Sequence, residues 1–161
     1  MLYCSATVRA SLQGFSGTLS LTVLNVNADD YGSYAEDGLP DDWQTQYFGL
    51  NNLNAAPDKD ASGTGQANLF KYIAGLNPTD RSSSFRVSVQ AVSGQPGQKQ
   101  IVFSPTLSDR TYTVYYKTSL TDAAWAPLTG ATQVDTGQQR TVTDINAVGK
   151  TKFYRVMISK P

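Results

Sequence analysis

The sequence predicts a mostly β chain of the α+β class, with an N-terminal β-hairpin, two short helices and a C-terminal antiparallel β-sandwich. Apolar and polar residues alternate near the start of the 161-residue chain and again over residues 85–160, a pattern typical of half-buried strands. Between these regions, two short stretches of helical periodicity each follow a polar, glycine-containing loop. These observations divide the chain into residues 1–30, 31–80 and 84–161.

Residues 1–30 are predicted to form the hairpin. The runs "ATVRASL" and "GTLSLTVLNV" flank the turn-like "QGFSG". Leu19, Leu21 and Val23 fall on one face of the second run. The hairpin is expected either to finish a preceding domain or to supply an assembly strand.

The first helix is predicted in "LPDDWQTQYFGL". Pro40 suits the first helical position, Asp41 and Asp42 favour the positive end of the helix dipole, and Gly49 can end the helix. An apolar face is expected from residues that recur every four positions: Leu39, Trp43 and Tyr47.

The second helix is predicted in "ANLFKYIAGLNP". Gly75 is suited to the C-terminal cap and Pro78 prevents continuation. The predicted buried stripe consists of Leu69, Phe70 and Ile73.

The rest of the chain contains seven short runs with a period of two, separated by turn residues, as expected for a β-sandwich. In chain order they are "FRVSVQAV", "KQIVFSPT", "RTYTVYYKTSL", "WAPL", "ATQV", "RTVTDI" and "KFYRVMISK".

The helical region contains an internal repeat. Aligning "DGLPDDWQTQYFGL" with "TGQANLFKYIAGL" matches Asp41 to Asn68 and Gln44 to Lys71, so equivalent residues are 27 positions apart. Residues 33–80 resemble the calcium loops of thrombospondin type 3 repeats and dockerins, in which "DxDxDGxxDxxE" precedes a short helix. In secreted bacterial proteins such loops often precede a β-rich C-terminal segment, which "YTVYYKTSLTDAAWAPL" and "KFYRV" resemble.

The resemblance implies an EF-hand-like ligand set, with oxygens at loop positions 1, 3, 5, 7, 9 and 12 and glycine at position 6. The second loop would offer Asp60, Ser62, Thr64, the Gln66 carbonyl and Asn68. Position 12 should hold a bidentate Glu, but it is occupied by Lys71. The Lys71 ammonium could lie where the ion would otherwise bind and donate hydrogen bonds to the loop oxygens.

In the first loop the same alignment gives Ser33 at position 1 and Gln44 at position 12. Its remaining ligands would be Asp37, the Leu39 carbonyl and Asp41. Carboxylates outside this alignment that could bend inward are Asp29, Asp30, Glu36 and, for the second loop, Asp58. Two interpretations remain open: calcium, bound mainly in loop one, or a metal-free loop whose side chains form turns and helix caps.

Composition narrows the function further. The chain has no histidine, its 13 basic residues balance its 13 acidic residues, and Cys4 is its single cysteine. These counts disfavour common catalytic sites, a nucleic-acid partner and an intrachain disulfide. The uncharged polar composition favours an extracellular or cell-surface location, and no stretch is long enough for a membrane span. Because "MLYCSATVRA" does not resemble a signal peptide, a secreted protein would be represented here by a fragment.

The sequence therefore predicts a noncatalytic accessory module of a secreted or cell-surface bacterial protein, with a sandwich of the fibronectin or immunoglobulin kind. Its expected partners are other domains of a larger protein or copies of itself. One alternative is a self-assembling extracellular filament or surface-layer subunit that uses β-strand complementation. A second is a carbohydrate-binding module that uses Trp125, Tyr115 and Tyr154 as stacking surfaces.

Overall fold

A computed structural model describes residues 4–13, 15–148 and 151–161. These residues form two compact units. The first lies within Met1–Tyr72 and Asn77–Arg81, and the second lies within Ile73–Leu76 and Ser82–Pro161.

The first unit begins with the predicted hairpin. Strands β1 (Cys4–Leu12) and β2 (Phe15–Val23) pair antiparallel along their full lengths, with Leu12 opposite Phe15 at the turn. The prediction of a hairpin is therefore confirmed. Leu19, Leu21 and Val23 are exposed, so this two-stranded sheet leaves one apolar face of β2 open to solvent.

Two short helices follow, α1 (Asp41–Phe48) and α2 (Asn68–Ala74). Pro40 is the N-cap residue of α1 rather than its first helical residue, because its ψ of 133° is extended. Gly49 ends α1 as predicted, with a φ of 78° and its N–H donated to the Thr45 carbonyl. Neither of these helices, in the described parts of the chain, has the length and apolar character needed to cross a membrane.

The buried face of α2 differs from the prediction. Leu69, expected in the buried stripe, is 39% exposed. The buried residues are instead Asn68, Lys71 and Ala74, which are spaced three apart and therefore lie on one side of the helix. Polar side chains occupy this side because it faces the backbone carbonyls and side chains of the preceding loop.

Helix α1 likewise buries polar residues, Asp41 and Gln44. Trp43 is half-buried in an aromatic cluster, with its ring centroid 5.2 Å from that of Tyr47 and 5.6 Å from that of Tyr72. The expected packing role of Trp43 is therefore confirmed.

The described part of the second unit contains seven strands, one for each predicted run. They are β3 (Arg86–Val92), β4 (Gln95–Ser104), β5 (Thr111–Lys117), β6 (Ala126–Pro127), β7 (Thr132–Thr136), β8 (Gln139–Asp144) and β9 (Phe153–Ser159). They form two antiparallel sheets, in the orders β3-β4-β8-β7 and β6-β5-β9. The α+β, mostly β class is thus confirmed.

The two sheets of this unit contribute to one core. Ile101 and Phe103 of β4 and Val142 of β8 are buried in the first sheet, and Val114 of β5 is buried in the second. The Phe103 ring lies 5.7 Å from the ring of Tyr112 on β5, so aromatic contacts join the sheets. Tyr112 and Val114, which are two positions apart on β5, therefore share the inward face of their strand.

Candidate functional site

The two loops before α1 and α2 are built on the same backbone frame. The helices begin at Asp41 and Asn68, residues matched by the 27-residue repeat. The Asp41 N–H donates to the Ala28 carbonyl at 2.7 Å, and the Asn68 N–H donates to the Lys59 carbonyl at the same distance. The repeat in the sequence is therefore also a repeat in the structure.

In the second loop, Asp60 is the central acceptor. Its Oδ1 accepts from the hydroxyls of Ser62 at 3.2 Å and Thr64 at 3.4 Å, and its Oδ2 accepts from the Gly65 N–H at 2.5 Å. Desolvation raises the pKa of the Asp60 carboxyl, but the backbone donors, the Ser62 hydroxyl and the nearby Lys71 charge outweigh it and hold the pKa below its usual range. Asp60 is therefore a charged acceptor that closes the loop.

The fully buried Lys71 side chain supplies the cation of this loop. Its Nζ donates to the Ser62 hydroxyl and lies 4.0 Å from Asp60 Oδ1. A buried ammonium is stable only when it is paired and hydrogen-bonded, and these two groups provide those interactions. The position that should carry the closing acid of a calcium loop thus carries a positive charge directed into the loop.

Asn68 and Asp58 contribute less to this loop than the calcium ligand set implied. Asn68 Nδ2 donates to the carbonyls of Asn54 and Ala56, at 2.8 and 2.9 Å, while its buried Oδ1 has no partner. The Asp58 side chain is 75% exposed and lies 3.6 Å from Lys59 Nζ. Asp58 is therefore paired at the surface rather than directed inward. Gln66 lies half-buried in the turn before α2.

In the first loop, Asp29 plays the part that Asp60 plays in the second. Its Oδ1 accepts from the Asp37 N–H at 3.1 Å, and its Oδ2 accepts from the Gly38 N–H at 2.8 Å. Gly38 and Gly65 both have positive φ, 90° and 80°, which places their N–H groups alike. Asp29 is thus the inward-bending carboxylate among those the sequence had suggested.

The prediction that Ser33 occupies position 1 of the first loop is wrong, because Asp29 takes that role. Asp29 precedes its loop glycine by nine residues, whereas Asp60 precedes Gly65 by five, so the first loop holds a four-residue insertion. The insertion contains a 3-10 turn, Gly32–Tyr34, and the Ser33 hydroxyl donates to Asn51 Oδ1 at 3.2 Å. An ungapped alignment could not detect this insertion.

Gln44 closes the first loop as Lys71 closes the second. It is fully buried, and its Nε2 donates to Asp37 Oδ2 at 2.7 Å and to the Ala55 carbonyl at 3.1 Å. Asp37 Oδ1 accepts from the N–H of the buried Leu39 at 2.9 Å. In both loops, then, an N–H donor occupies the position where a calcium loop has an acceptor.

Asp41 is almost completely buried. Burial raises the pKa of its carboxyl above the usual value, although hydrogen bonds from the N–H groups of Asp30 and Tyr31, at 2.7 and 2.9 Å, oppose the shift. Its Oδ1 and the Oε1 of Gln44 are buried without a partner. These two buried oxygens can still accept a hydrogen bond or coordinate a cation.

The two loops differ in how well their side chains fit calcium. In residues 4–13, 15–148 and 151–161, no three Asp, Glu, His or Cys side chains converge closely enough to hold a metal ion. The second loop does not fit a divalent ion, because it combines one carboxylate with the Lys71 ammonium. The first loop retains Asp37 and Asp41 and the two buried oxygens, so calcium there stays a prediction.

The aromatic residues predicted to stack on sugars lie on different faces of the second unit. Tyr154 is part-buried and donates its hydroxyl to Asp144 Oδ2 at 2.8 Å. Tyr115 and Trp125 are half-buried, and the Arg155 guanidinium lies 5.0 and 4.8 Å from their ring centroids. Since Arg155 covers part of both rings, less flat aromatic surface is open than the prediction required. Glycan binding stays a prediction.

A buried polar cluster was not predicted from the sequence. Asp144 accepts from Lys152 Nζ at 2.7 Å, from the Tyr154 hydroxyl and from the Asn146 N–H at 2.9 Å. The cluster forms only when β8 and β9, in different sheets, come together. Asp144 lies in one predicted strand and Lys152 and Tyr154 in another, and the alternation of residues in either strand does not indicate that these side chains meet.

Neither a protein-family model, nor a curated protein, nor a solved structure matches the chain. The class of this protein is therefore given by its fold and by its two loops. It is a mostly β protein in which two loops, closed by buried N–H donors, precede short helices.

Proposed function

We propose that this protein is a noncatalytic accessory module of a secreted or cell-surface bacterial protein and that it serves attachment, spacing or recognition. The observation that carries the proposal is the buried Lys71 ammonium in the second loop. A loop held together by its own cation keeps a fixed shape without binding a dissociable ion, which suits a spacer. The absence of histidine from the sequence supports a noncatalytic role.

The electrostatics of the second loop support this interpretation. The formal charges of Asp60 and Lys71 cancel, so a divalent cation would add two uncompensated positive charges beside a buried ammonium. The Ser62 and Thr64 hydroxyls also bond to Asp60 or to Lys71 and are already engaged. Lys71 therefore satisfies the same oxygens that an ion would coordinate.

The strand order of the second unit supports a sandwich of the fibronectin or immunoglobulin kind. In such a sandwich of the constant type, strands A, B, E and D form one sheet, and the other is built around strands C and F. The sheet β3-β4-β8-β7 follows the A-B-E-D order, and β5 and β9 take the places of C and F. Domains of this architecture commonly act in display and adhesion, and the link to function here is by analogy.

Restoring the missing acid tests the role of Lys71. We expect Lys71→Glu to make stability calcium-dependent, with a melting temperature that rises in millimolar calcium and falls in chelator, because a ligand that binds only the folded state stabilises it. The matched variant Lys71→Gln removes the same charge without adding an acid and should not respond to calcium. Differential scanning fluorimetry of both variants measures this.

A wild-type second loop that binds calcium would contradict the proposal. To separate it from the first loop, the measurements are repeated in an Asp37→Asn background. If wild-type Lys71 in that background still gives a calcium-dependent melting temperature, the metal-free interpretation of the second loop is wrong. Turnover of a substrate by the purified chain would contradict the noncatalytic role.

Calcium in the first loop is a second candidate, favoured by the buried unpartnered Asp41 Oδ1 and Gln44 Oε1 beside Asp37. Asp37, Asp41 and Gln44 would hold the ion, whose charge would offset the two carboxylates. This candidate predicts that calcium raises the melting temperature of the wild-type protein and that Asp37→Asn abolishes the rise. No response of the wild type would exclude it.

A further inference from the structure

Strand β9 has a free edge. In the part of the chain that the structure describes, β9 pairs with β5 and with no strand on its other side. A free strand edge presents unpaired N–H and C=O groups and can accept a further strand. Seven residues, Phe153–Ser159, are therefore open to main-chain pairing along this edge.

The sheet opposite this edge has core-facing valines that are uncovered. Val87 and Val89 of β3 pair with Phe103 and Ile101 of β4, both fully buried, so all four residues share the inward face of their sheet. Yet Val87 is 46% exposed and Val89 is 50% exposed. A strand added beside β9 would lie over these valines, as the second sheet already lies over Phe103 and Ile101.

A cavity marks the same place. It has a volume of about 220 Å³ and is lined by Val89, Lys99, Ala147, Thr151, Lys152 and Tyr154. These residues come from β3 and β4 of one sheet and from β9 and the segment before it. The cavity thus joins the uncovered valines to the free edge, and we call the whole region, the β9 edge with Val87 and Val89, the acceptor slot.

The chain itself contains a strand that matches the acceptor slot. On β2, Leu19, Leu21 and Val23 share one face and are 60%, 45% and 59% exposed. The other face carries small polar residues such as Ser20 and Thr22. A strand with one apolar and one polar face suits a sheet that is buried on one side, and the nine residues of β2 exceed the seven of β9. A two-stranded hairpin is only marginally stable alone, so it would gain from adding its edge to a larger sheet.

Charge also favours contact between the two halves of different molecules. Residues 1–81 contain nine acidic and four basic residues, whereas residues 82–161 contain four acidic and nine basic residues. The halves therefore have formal charges of −5 and +5, which the overall balance of the chain conceals. Opposite net charges steer the first half of one copy toward the second half of another and disfavour like halves meeting.

We propose that β2 of one copy adds to the free β9 edge of a second copy, with Leu19 and Leu21 covering Val87 and Val89 in the acceptor slot. The contact joins two different surfaces, so each added copy brings a free donor and a free slot, and the pairing repeats into open chains of subunits or closes into a ring. Main-chain pairing supplies the affinity and the alternating leucines supply the register. The interface goes beyond the spacer role and would allow the module to link proteins to one another.

The test uses two variants of the full chain that each lack one half of the interface. Leu19→Lys with Leu21→Lys removes the donor, and Val87→Lys with Val89→Lys removes the slot. Sedimentation velocity of the wild type should show oligomers that grow with concentration and weaken at high salt, whereas each variant alone should be monomeric. A 1:1 mixture of the two variants should form a heterodimer, because one variant retains the donor and the other retains the slot.

Matched controls place the same charges on other faces. Ser20→Lys with Thr22→Lys changes the polar face of β2. Val134→Lys changes an exposed valine on the outer face of β7, because the adjacent Gln133 pairs with the core residue Val142 and so takes the inner face. Both controls should assemble like the wild type. If the slot variant does not fold, as judged by circular dichroism, a peptide of residues 15–23 replaces it: added to wild-type protein, it should dissociate the oligomers, and the peptide with both leucines changed to lysine should not.

A wild-type protein that is monomeric at every concentration overturns the proposal, as does a variant mixture that forms no heterodimer. Oligomers unaffected by both double variants and by the peptide would equally refute it. These outcomes are independent of the loop experiments. A monomer leaves the accessory role and the Lys71 interpretation intact, and calcium dependence leaves the assembly intact.

Discussion

The first residues of the two helices show how one charge changes the energetics of otherwise equivalent positions. Asp41 and Asn68 are both buried, and both donate their N–H to a loop carbonyl at 2.7 Å. Asn68 is neutral, whereas burial raises the pKa of Asp41 because the ionised carboxylate loses hydration. Ionised Asp41 therefore reduces the stability of the first unit at neutral pH.

We expect Asp41→Asn to be at least as stable as the wild type at neutral pH, with a gain of about 0–1 kcal/mol. The asparagine oxygen can still accept from the N–H groups of Asp30 and Tyr31, and no charge is buried. For an acid with a raised folded pKa, stability is greatest below the unfolded pKa, about 3.9, and is lost as pH rises through the folded value. The advantage of Asp41→Asn should therefore shrink on acidification.

Urea unfolding of the two proteins as a function of pH measures this difference. Asp41→Ala is the control, since it leaves the two N–H donors without an acceptor and should lower the unfolding free energy by about 1–3 kcal/mol. A large loss of stability in Asp41→Asn at neutral pH would mean that the carboxylate charge is needed, as it would be for a bound cation.

At the scale of elements, α2 is a helix whose buried side is polar and whose ends are set by its neighbours. Asn68 and Lys71 face the loop, and Gly75 ends the helix with a φ of 70°. A Cβ at Gly75 would fall on Leu107 Cδ1, so this position needs glycine for both its backbone conformation and its space. The Arg110 guanidinium also donates to the Ile73 carbonyl in the last turn.

We predict that Gly75→Ala lowers the unfolding free energy by more than Gly130→Ala does. The two glycines have the same φ of 70°, which should cost an alanine about 1–2 kcal/mol at either site, but nothing lies within 4 Å of a Cβ at Gly130. The difference between the two variants in chemical denaturation therefore reports the clash with Leu107. Adding Leu107→Ala to Gly75→Ala should recover part of that difference, and equal losses in the two glycine variants would refute the clash.

At the scale of the whole molecule, the second compact unit combines an apolar core with a buried polar cluster that joins its two sheets. Asp144 at the end of β8 receives hydrogen bonds from Lys152 and from Tyr154 of β9. Desolvation raises the pKa of Asp144, but the Lys152 ammonium and the hydroxyl and N–H donors outweigh it and hold the pKa below its usual range. Burial, together with the hydrogen bond to the same carboxylate and its charge, raises the pKa of the Tyr154 phenol.

We expect Asp144→Asn to lower the unfolding free energy at neutral pH by about 3 kcal/mol, because Lys152 would be left buried without its counter-charge. For an acid with a depressed folded pKa, the stability is present above the unfolded pKa, about 3.9, and is lost as pH falls through the folded value. The gap between the wild type and Asp144→Asn should therefore close below about pH 4.

Urea unfolding as a function of pH measures this gap, and Asp58→Asn is the control. The Asp58 side chain is 75% exposed and pairs with Lys59, whose side chain is 52% exposed, so the variant should change stability by less than about 1 kcal/mol. If the gap between the wild type and Asp144→Asn were independent of pH, the contribution of Asp144 would be steric rather than electrostatic.

Periodicity located the secondary structure, since all seven C-terminal runs are strands and both helices lie where they were predicted. Periodicity predicted less well which side chains are buried when their contacts come from distant parts of the chain. Leu69 was expected inside, yet it is exposed, because the loop rather than an apolar core covers α2. The Lys71 ammonium, by contrast, lies in the loop, as the sequence had suggested. The Asp29 position and the four-residue insertion also depended on how the first loop bends.

By itself, the sequence determined the hairpin, the helix positions, the repeat and the substitution of lysine for the closing acid, because each depends on residues close together in the chain. Only the tertiary structure decided that Lys71 lies inside its loop, that Asp144 meets Lys152 and Tyr154, and that Val87 and Val89 are uncovered. The physical reason is that burial and pairing depend on groups brought together from distant positions, and local patterns do not record which neighbours a side chain will meet or which strand edges stay unpaired.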